Sequence, residues 1–214
     1  PAAMVALLEG MGADAIGANC SLGPKQLIGV AEELLENASV PVVLKPNAGL
    51  PKSVDGVAFY DVSANEFASE VTELIECGAR IAGGCCGTTP EYISSLTATS
   101  SQIAVHPIDK KDVTCVSSYT HAVFFDDSPV LIGERINPTG KKLFKEALKA
   151  GDMDYILKEG IAQQEKGVHI LDVNVGLPEI DEASMLTTAV CELQAVTDLP
   201  LQIDTVDIQA MEKA

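Results

Sequence analysis

The sequence predicts an α/β protein built on parallel sheets, and three observations lead there. Short apolar runs of strand character alternate with amphipathic stretches of helical period, as in successive βα units. The alternation breaks once, over residues 98–128, where Ser/Thr clusters and mixed charge replace it, and it resumes at Pro129. Each side then holds about three βα units, too few to close a barrel alone.

The elements follow in order. "ADAIGANC" (13–20) reads as a strand ending at Cys20, and residues 24–37 as a helix with Leu27, Ala31, Leu34 and Leu35 on one face. "VPVVLKPNAG" (40–49) is a strand running into a polar loop that contains glycine. Ser63 and Glu66 form a capping box for a helix burying Phe67, Val71, Leu74 and Ile75. "ARIAGGCC" (79–86) is the next strand, and Pro90 suits the first position of a short helix to about Leu96. After the break come strand "VLIGERIN", helices near 142–150 and 153–166, strand "VHILDVNVG", a helix near 183–197 and strand "LPLQIDT". The expected organisation is therefore 1–98 as a first domain, 99–128 as a linker and 129–214 as a second domain.

Bulk properties narrow the function. With 214 residues and 47% hydrophobic content the chain can bury a sizeable core. It carries no apolar run long enough for a membrane span and no secretory signal, so no membrane partner is expected. A formal charge of −17 leaves no basic stripe for phosphates, which argues against a nucleic-acid partner. The six cysteines lack framework spacing, which predicts reduced thiols in a cytoplasmic protein. The start at Pro1 and the stop at "MEKA", inside a helical pattern, suggest a piece of a longer chain.

The cysteines at 20, 85 and 86 are the first chemical signal. Adjacent cysteines make a poor disulfide, which leaves metal binding or packing. In a parallel βα barrel the strand C-termini share one face, so Cys20 and the Cys85–Cys86 pair can converge there. Three thiolates with a fourth position open suit a catalytic zinc. Gly83 and Gly84 are expected to let the backbone turn both neighbours toward one ion. The alternative is three small buried residues. For Cys77, Cys115 and Cys191 packing is the better reading, and His106, His121 and His169 read as structural or exposed.

"GANCSLGP" followed by "GGCCGTTPEYI" resembles the homocysteine-binding barrel of the zinc-dependent homocysteine methyltransferases. The resemblance implies zinc on Cys20, Cys85 and Cys86, with the homocysteine thiol taking the open position and becoming a nucleophile.

The second half places polar groups at three successive strand ends. They are Glu134, Arg135 and Asn137 in "LIGERINPTG", Asp172 and Asn174 in "ILDVNVG", and Asp204 in "QIDT". Such groups suit a buried heterocycle rich in donors and acceptors, or they are strand-end caps and loop anchors. The order of the three segments resembles the pterin-binding barrel of corrinoid-linked methyltransferases and dihydropteroate synthase relatives. It implies that Glu134 and Asp204 contact the pterin, with Asn137, Asp172 and Asn174 nearby.

The tandem resembles the N-terminal half of the cobalamin-dependent methionine synthase family. That implies two TIM-type (β/α)8 barrels, each partly present: the last strands of the first and the first strands of the second. It also implies 5-methyltetrahydrofolate as methyl donor, cobalamin on a corrinoid-binding domain in cis or trans, and methionine as product. The alternatives are a non-catalytic zinc or thiol-binding module, a zinc homocysteine methyltransferase with another donor, and a pterin-condensing synthase, which would not need the three cysteines.

Overall fold

A computed structural model describes residues 1–54, 56–126 and 128–214. The chain divides into two compact units, Pro1–Asp112 and Val113–Ala214.

The first unit opens with helix α1 (Ala2–Gly10), which the sequence reading left unassigned, followed by strand β1 (Ile16–Asn19). Helix α2 (Pro24–Asn37) leads to β2 (Val42–Lys45). A hairpin of β3 (Lys52–Val54) and β4 (Val57–Phe59) precedes helix α3 (Ala64–Glu76), strand β5 (Ile81–Ala82) and helix α4 (Pro90–Ser100). Pro24 and Pro90 sit in the first turns of their helices, where a missing N–H costs nothing. Ser63 caps α3 by accepting from the Glu66 N–H, the backbone half of the expected capping box.

Strands β1, β2 and β5 form a parallel sheet in the order β1-β2-β5. Gly17 pairs with Val43, and a Cβ at Gly17 would stand 1.9 Å from the Val43 carbonyl oxygen, so only glycine permits this approach. Leu27, Ala31 and Leu34 of α2 pack with Val42 and Leu44 of the sheet. Phe67, Ala68 and Val71 of α3 pack with Leu96 of α4. The rings of Phe67 and Tyr92 meet edge to face at 5.5 Å, and the Tyr92 hydroxyl donates to the Val62 carbonyl.

The second unit begins with a hairpin, β6 (Cys115–Ser117) and β7 (Ala122–Phe124), inside the stretch expected to be linker. Strand β8 (Ile132–Ile136), helices α5 (Lys142–Ala150) and α6 (Met153–Gln164) and strand β9 (Ile170–Val173) follow. Helix α7 (Glu182–Val196), strand β10 (Leu201–Ile203) and helix α8 (Ile208–Lys213) complete it. Asp152, Asp181 and Asp207 each cap the helix they precede. The sheet is parallel in the order β10-β9-β8. Its core joins Ile136 and Val173 to Phe144, Ile156, Leu186 and Leu193.

In both units consecutive parallel strands are neighbours, without the reversal of order that marks a doubly wound sheet. No helix among the described residues is long and apolar enough to cross a membrane.

Candidate metal centre and polar strand ends

Strands β1 and β5 flank β2, and the chain leaving each carries the cysteines to one place. The sulfurs of Cys20, Cys85 and Cys86 all lie within 4.8 Å of one another, and those of Cys20 and Cys86 are 3.7 Å apart. All six cysteines are free thiols. Cys77 closes α3, Cys115 begins β6 and Cys191 lies in α7, none of them in the cluster.

The backbone explains the convergence. Cys20 and Ser21 have φ of 65° and 60°, a left-handed turn just past β1, closed by the Leu22 N–H donating to the Cys20 carbonyl at 2.7 Å. The Cys20 N–H donates to Lys45 and the Cys85 N–H to Pro46, so the segment after β2 holds both arms of the cluster. Asn47, 2% exposed, accepts the Cys86 N–H on its side chain at 3.0 Å.

The expected role of Gly83 and Gly84 is corrected in its physics. Neither has a positive φ; β5 ends at Ala82, so strand alternation no longer governs residues 85 and 86. Gly84 is needed for space, since a Cβ there would stand 2.5 Å from the Thr88 side chain. The left-handed turn lies at Gly87, with φ of 80°.

Cys20 and Cys86 differ in proton affinity. The Ser21 backbone N–H and then the Cys86 and Cys85 thiols draw the Cys20 thiol below its ordinary range. Cys86, as a hydrogen-bond partner of Cys20, is pushed up, and the Tyr60 hydroxyl opposes that rise. Burial, and next the neighbouring Cys86, raise the Tyr60 phenol. Tyr60 is the residue the sequence reading missed at this site. It arrives on the β3–β4 hairpin, whose Asp55-Gly56 pair is a hairpin signal legible in the sequence, although Asp55 itself lies outside the described residues.

In the second unit, Gly133 and Ile136 flank an irregularity in the β8–β9 register. There the Arg135 N–H donates to the buried Gln163 side chain of α6 instead of to the ladder. Glu134 is exposed and paired with Lys141 at 3.2 Å. Asp172 is buried in β9 and accepts from Gln202 of β10 at 2.8 Å. Burial, then the charges of Asp204 and Glu134, raise its proton affinity, with the Gln202 bond opposing.

Asn174 donates to Asp204 at 2.9 Å, and both line a cleft of about 640 Å³ with Thr139, Glu182, Thr205 and Asp207. Asn137 instead turns its side-chain oxygen onto the Thr139 N–H, an Asx turn within its own loop. Of the five expected residues, Asn174 and Asp204 meet and line this cleft, Glu134 pairs with Lys141, Asp172 with Gln202, and Asn137 serves its own loop. His169 accepts from the Leu131 N–H and His121 lies 3.5 Å from Asp198, structural contacts in both cases.

Residues 1–100 match the family model of homocysteine S-methyltransferase, and residues 133–214 that of the pterin binding enzymes. The chain joins a homocysteine S-methyltransferase segment to a pterin-binding segment. Both are TIM-barrel families. The chain is 33% identical to the methionine synthase of Mycobacterium leprae over 98% of its length, and 33% identical to that of Mycobacterium tuberculosis over 98%. It spans 18% of the length of each. The homocysteine methyltransferase MmuM of Escherichia coli, in its oxidised form, is 30% identical over 46% of this chain and 30% of that one, with a TM-score of 0.36.

Proposed function

We propose that the chain works in methionine synthesis, with homocysteine methylated at a zinc centre formed by Cys20, Cys85 and Cys86. The observation that carries this is the meeting of three thiols from two strand ends 65 residues apart. A tetrahedral zinc with Zn–S bonds near 2.3 Å spaces its sulfurs about 3.8 Å apart, and the 3.7 Å between Cys20 and Cys86 fits it. Three soft donors suit zinc and leave one position for a substrate sulfur. Zinc bound there would supply the Lewis acidity that keeps a thiol ionised near neutral pH.

The protein's part is to hold the sulfurs in place. The left-handed turn at Cys20 and the Asn47 bond to the Cys86 N–H fix both arms of the cluster. Cys86 is exposed, which leaves the substrate a side from which to approach.

In the second segment we assign 5-methyltetrahydrofolate, the methyl donor, to Glu134, Asn137, Asp172, Asn174 and Asp204. Carboxylate and amide oxygens there would accept from the ring's N–H groups, and the Asn174–Asp204 bond holds two of them in one orientation. The cobalamin implied by the resemblance would be held outside these residues, on a corrinoid-binding domain in cis or trans. Each unit would be part of a (β/α)8 barrel, the last strands of the first and the first strands of the second, a reading that the sequential strand order supports. On that reading we divide the chain into 1–98 and 129–214 joined by 99–128, whose β6–β7 hairpin belongs to the second compact unit, and six free thiols suit a reducing cytoplasm.

The test is to load the chain with cobalt(II) and titrate homocysteine, with Cys86→Ser as control. A new thiolate-to-metal absorption on adding homocysteine, absent from the variant, is expected. No bound metal, or a spectrum indifferent to homocysteine, overturns the assignment.

A further inference from the structure

The hairpin that precedes α3 brings Tyr60 to the thiol cluster. Its ring is pressed against Gly87: a Cβ at that glycine would stand 2.5 Å from Tyr60 Cγ and 2.7 Å from Cδ2. Gly87 follows Cys86 directly and has φ of 80°, so both its conformation and the ring exclude a side chain there. The ring therefore packs on the residue that follows Cys86, which puts Tyr60 beside the exposed arm of the cluster. At the hairpin's foot the next residue, Asp61, is paired with Lys52, which ties the start of β3 to the chain leaving β4. Tyr60 is thus held from two directions, by its hairpin and by the turn that carries Cys86.

We propose that Tyr60 is a positioning residue for the metal centre, its hydroxyl donating a hydrogen bond to the Cys86 sulfur while its ring clamps the Gly87 turn. The proposal rests on the zinc assignment above. A thiolate that accepts an O–H bond gives up electron density, so it donates less to the metal and its charge-transfer absorption moves to higher energy. Outer contacts of this kind orient a ligand and tune the ion without touching it.

The experiment uses the full chain loaded with cobalt(II). Tyr60→Phe keeps the ring and removes the donor. It is expected to bind one cobalt, to shift the thiolate-to-cobalt band to lower energy, and to lose about tenfold in metal affinity in a chelator competition. Tyr60→Leu, which also removes the clamp, should lose more affinity, and circular dichroism checks that each variant is folded. If wild type binds cobalt and Tyr60→Phe shows the same band and the same affinity, Tyr60 only packs, and the proposal is overturned while the zinc assignment stands. If wild type binds no metal, the zinc assignment fails and this proposal with it.

Discussion

The side-chain oxygen of Asn47 accepts the backbone N–H of Cys86 at 3.0 Å, across 39 residues of sequence. Asn47 is buried, and its own N–H donates to Leu22, in the turn that follows Cys20. One amide residue therefore ties the Cys20 arm of the cluster to the Cys85–Cys86 arm. Its place at the end of β2, between the two strands that carry the cysteines, makes this possible.

Replacing Asn47 by alanine leaves the Cys86 N–H without its partner. The expected cost is about 1–3 kcal/mol of stability, together with weaker metal binding. Urea unfolding and a chelator competition measure the two effects separately. An unchanged midpoint with unchanged affinity would mean that water replaces the amide without loss.

The six cysteines should separate cleanly when each is changed to serine. Cys20, Cys85 and Cys86 variants are expected to lose stoichiometric zinc, since each removes one of three converging sulfurs. Cys77, Cys115 and Cys191 variants should keep it. Zinc content of the purified proteins by atomic absorption checks both groups, and retention of zinc by any of the first three would exclude that residue as a ligand.

Gly17→Ala should destabilise the first unit by about 1–3 kcal/mol or more, because the new methyl meets backbone that cannot swing aside. The Val43 carbonyl it would strike belongs to the neighbouring strand β2. Chemical denaturation followed by hydrogen exchange at β1 and β2 would register the loss. A variant as stable as wild type would show that the β1–β2 spacing can widen.

Asp172 links stability to pH. Its folded pKa lies above its unfolded value, chiefly through burial. Its contribution is therefore fully present below the unfolded pKa of about 3.9 and lost as pH rises through the folded one. Asp172→Asn stays neutral and can still accept from Gln202. It is expected to be more stable than wild type at pH 7, with the gap closing in acid. Thermal melts from pH 3.5 to 7.5 measure it, and a gap that is independent of pH would remove the titration as its cause.

Asp204→Asn tests the second segment. The substituted amide can still accept from Asn174, so folding should change little. A charged acceptor for a pterin N–H is lost, and affinity for a folate should fall by about 1.5–3 kcal/mol. Calorimetry with 5-methyltetrahydrofolate reads it directly; equal affinity would move the pterin contact elsewhere.

Local signals in the sequence determined much of this protein. Pro24, Pro90 and the Ser63 cap fix three helix starts through groups within one turn, and apolar periodicity fixes the faces those helices bury. The candidate ligands Cys20, Cys85 and Cys86 were legible because a strand end is a local feature and all parallel strands end on the same side. Long-range contacts had no such signature. Helix α1 lacks a side-chain cap, and its apolar residues do not favour one face.

Only the folded chain decided that Asn47 spans the cluster and that Tyr60 stands against Gly87. It also decided that Asn137 turns back on its own loop while Asn174 reaches Asp204. Periodicity and capping are encoded within a few residues. Which polar group finds which partner depends on strand register and on the space a missing Cβ leaves, and both exist only once the sheets have formed.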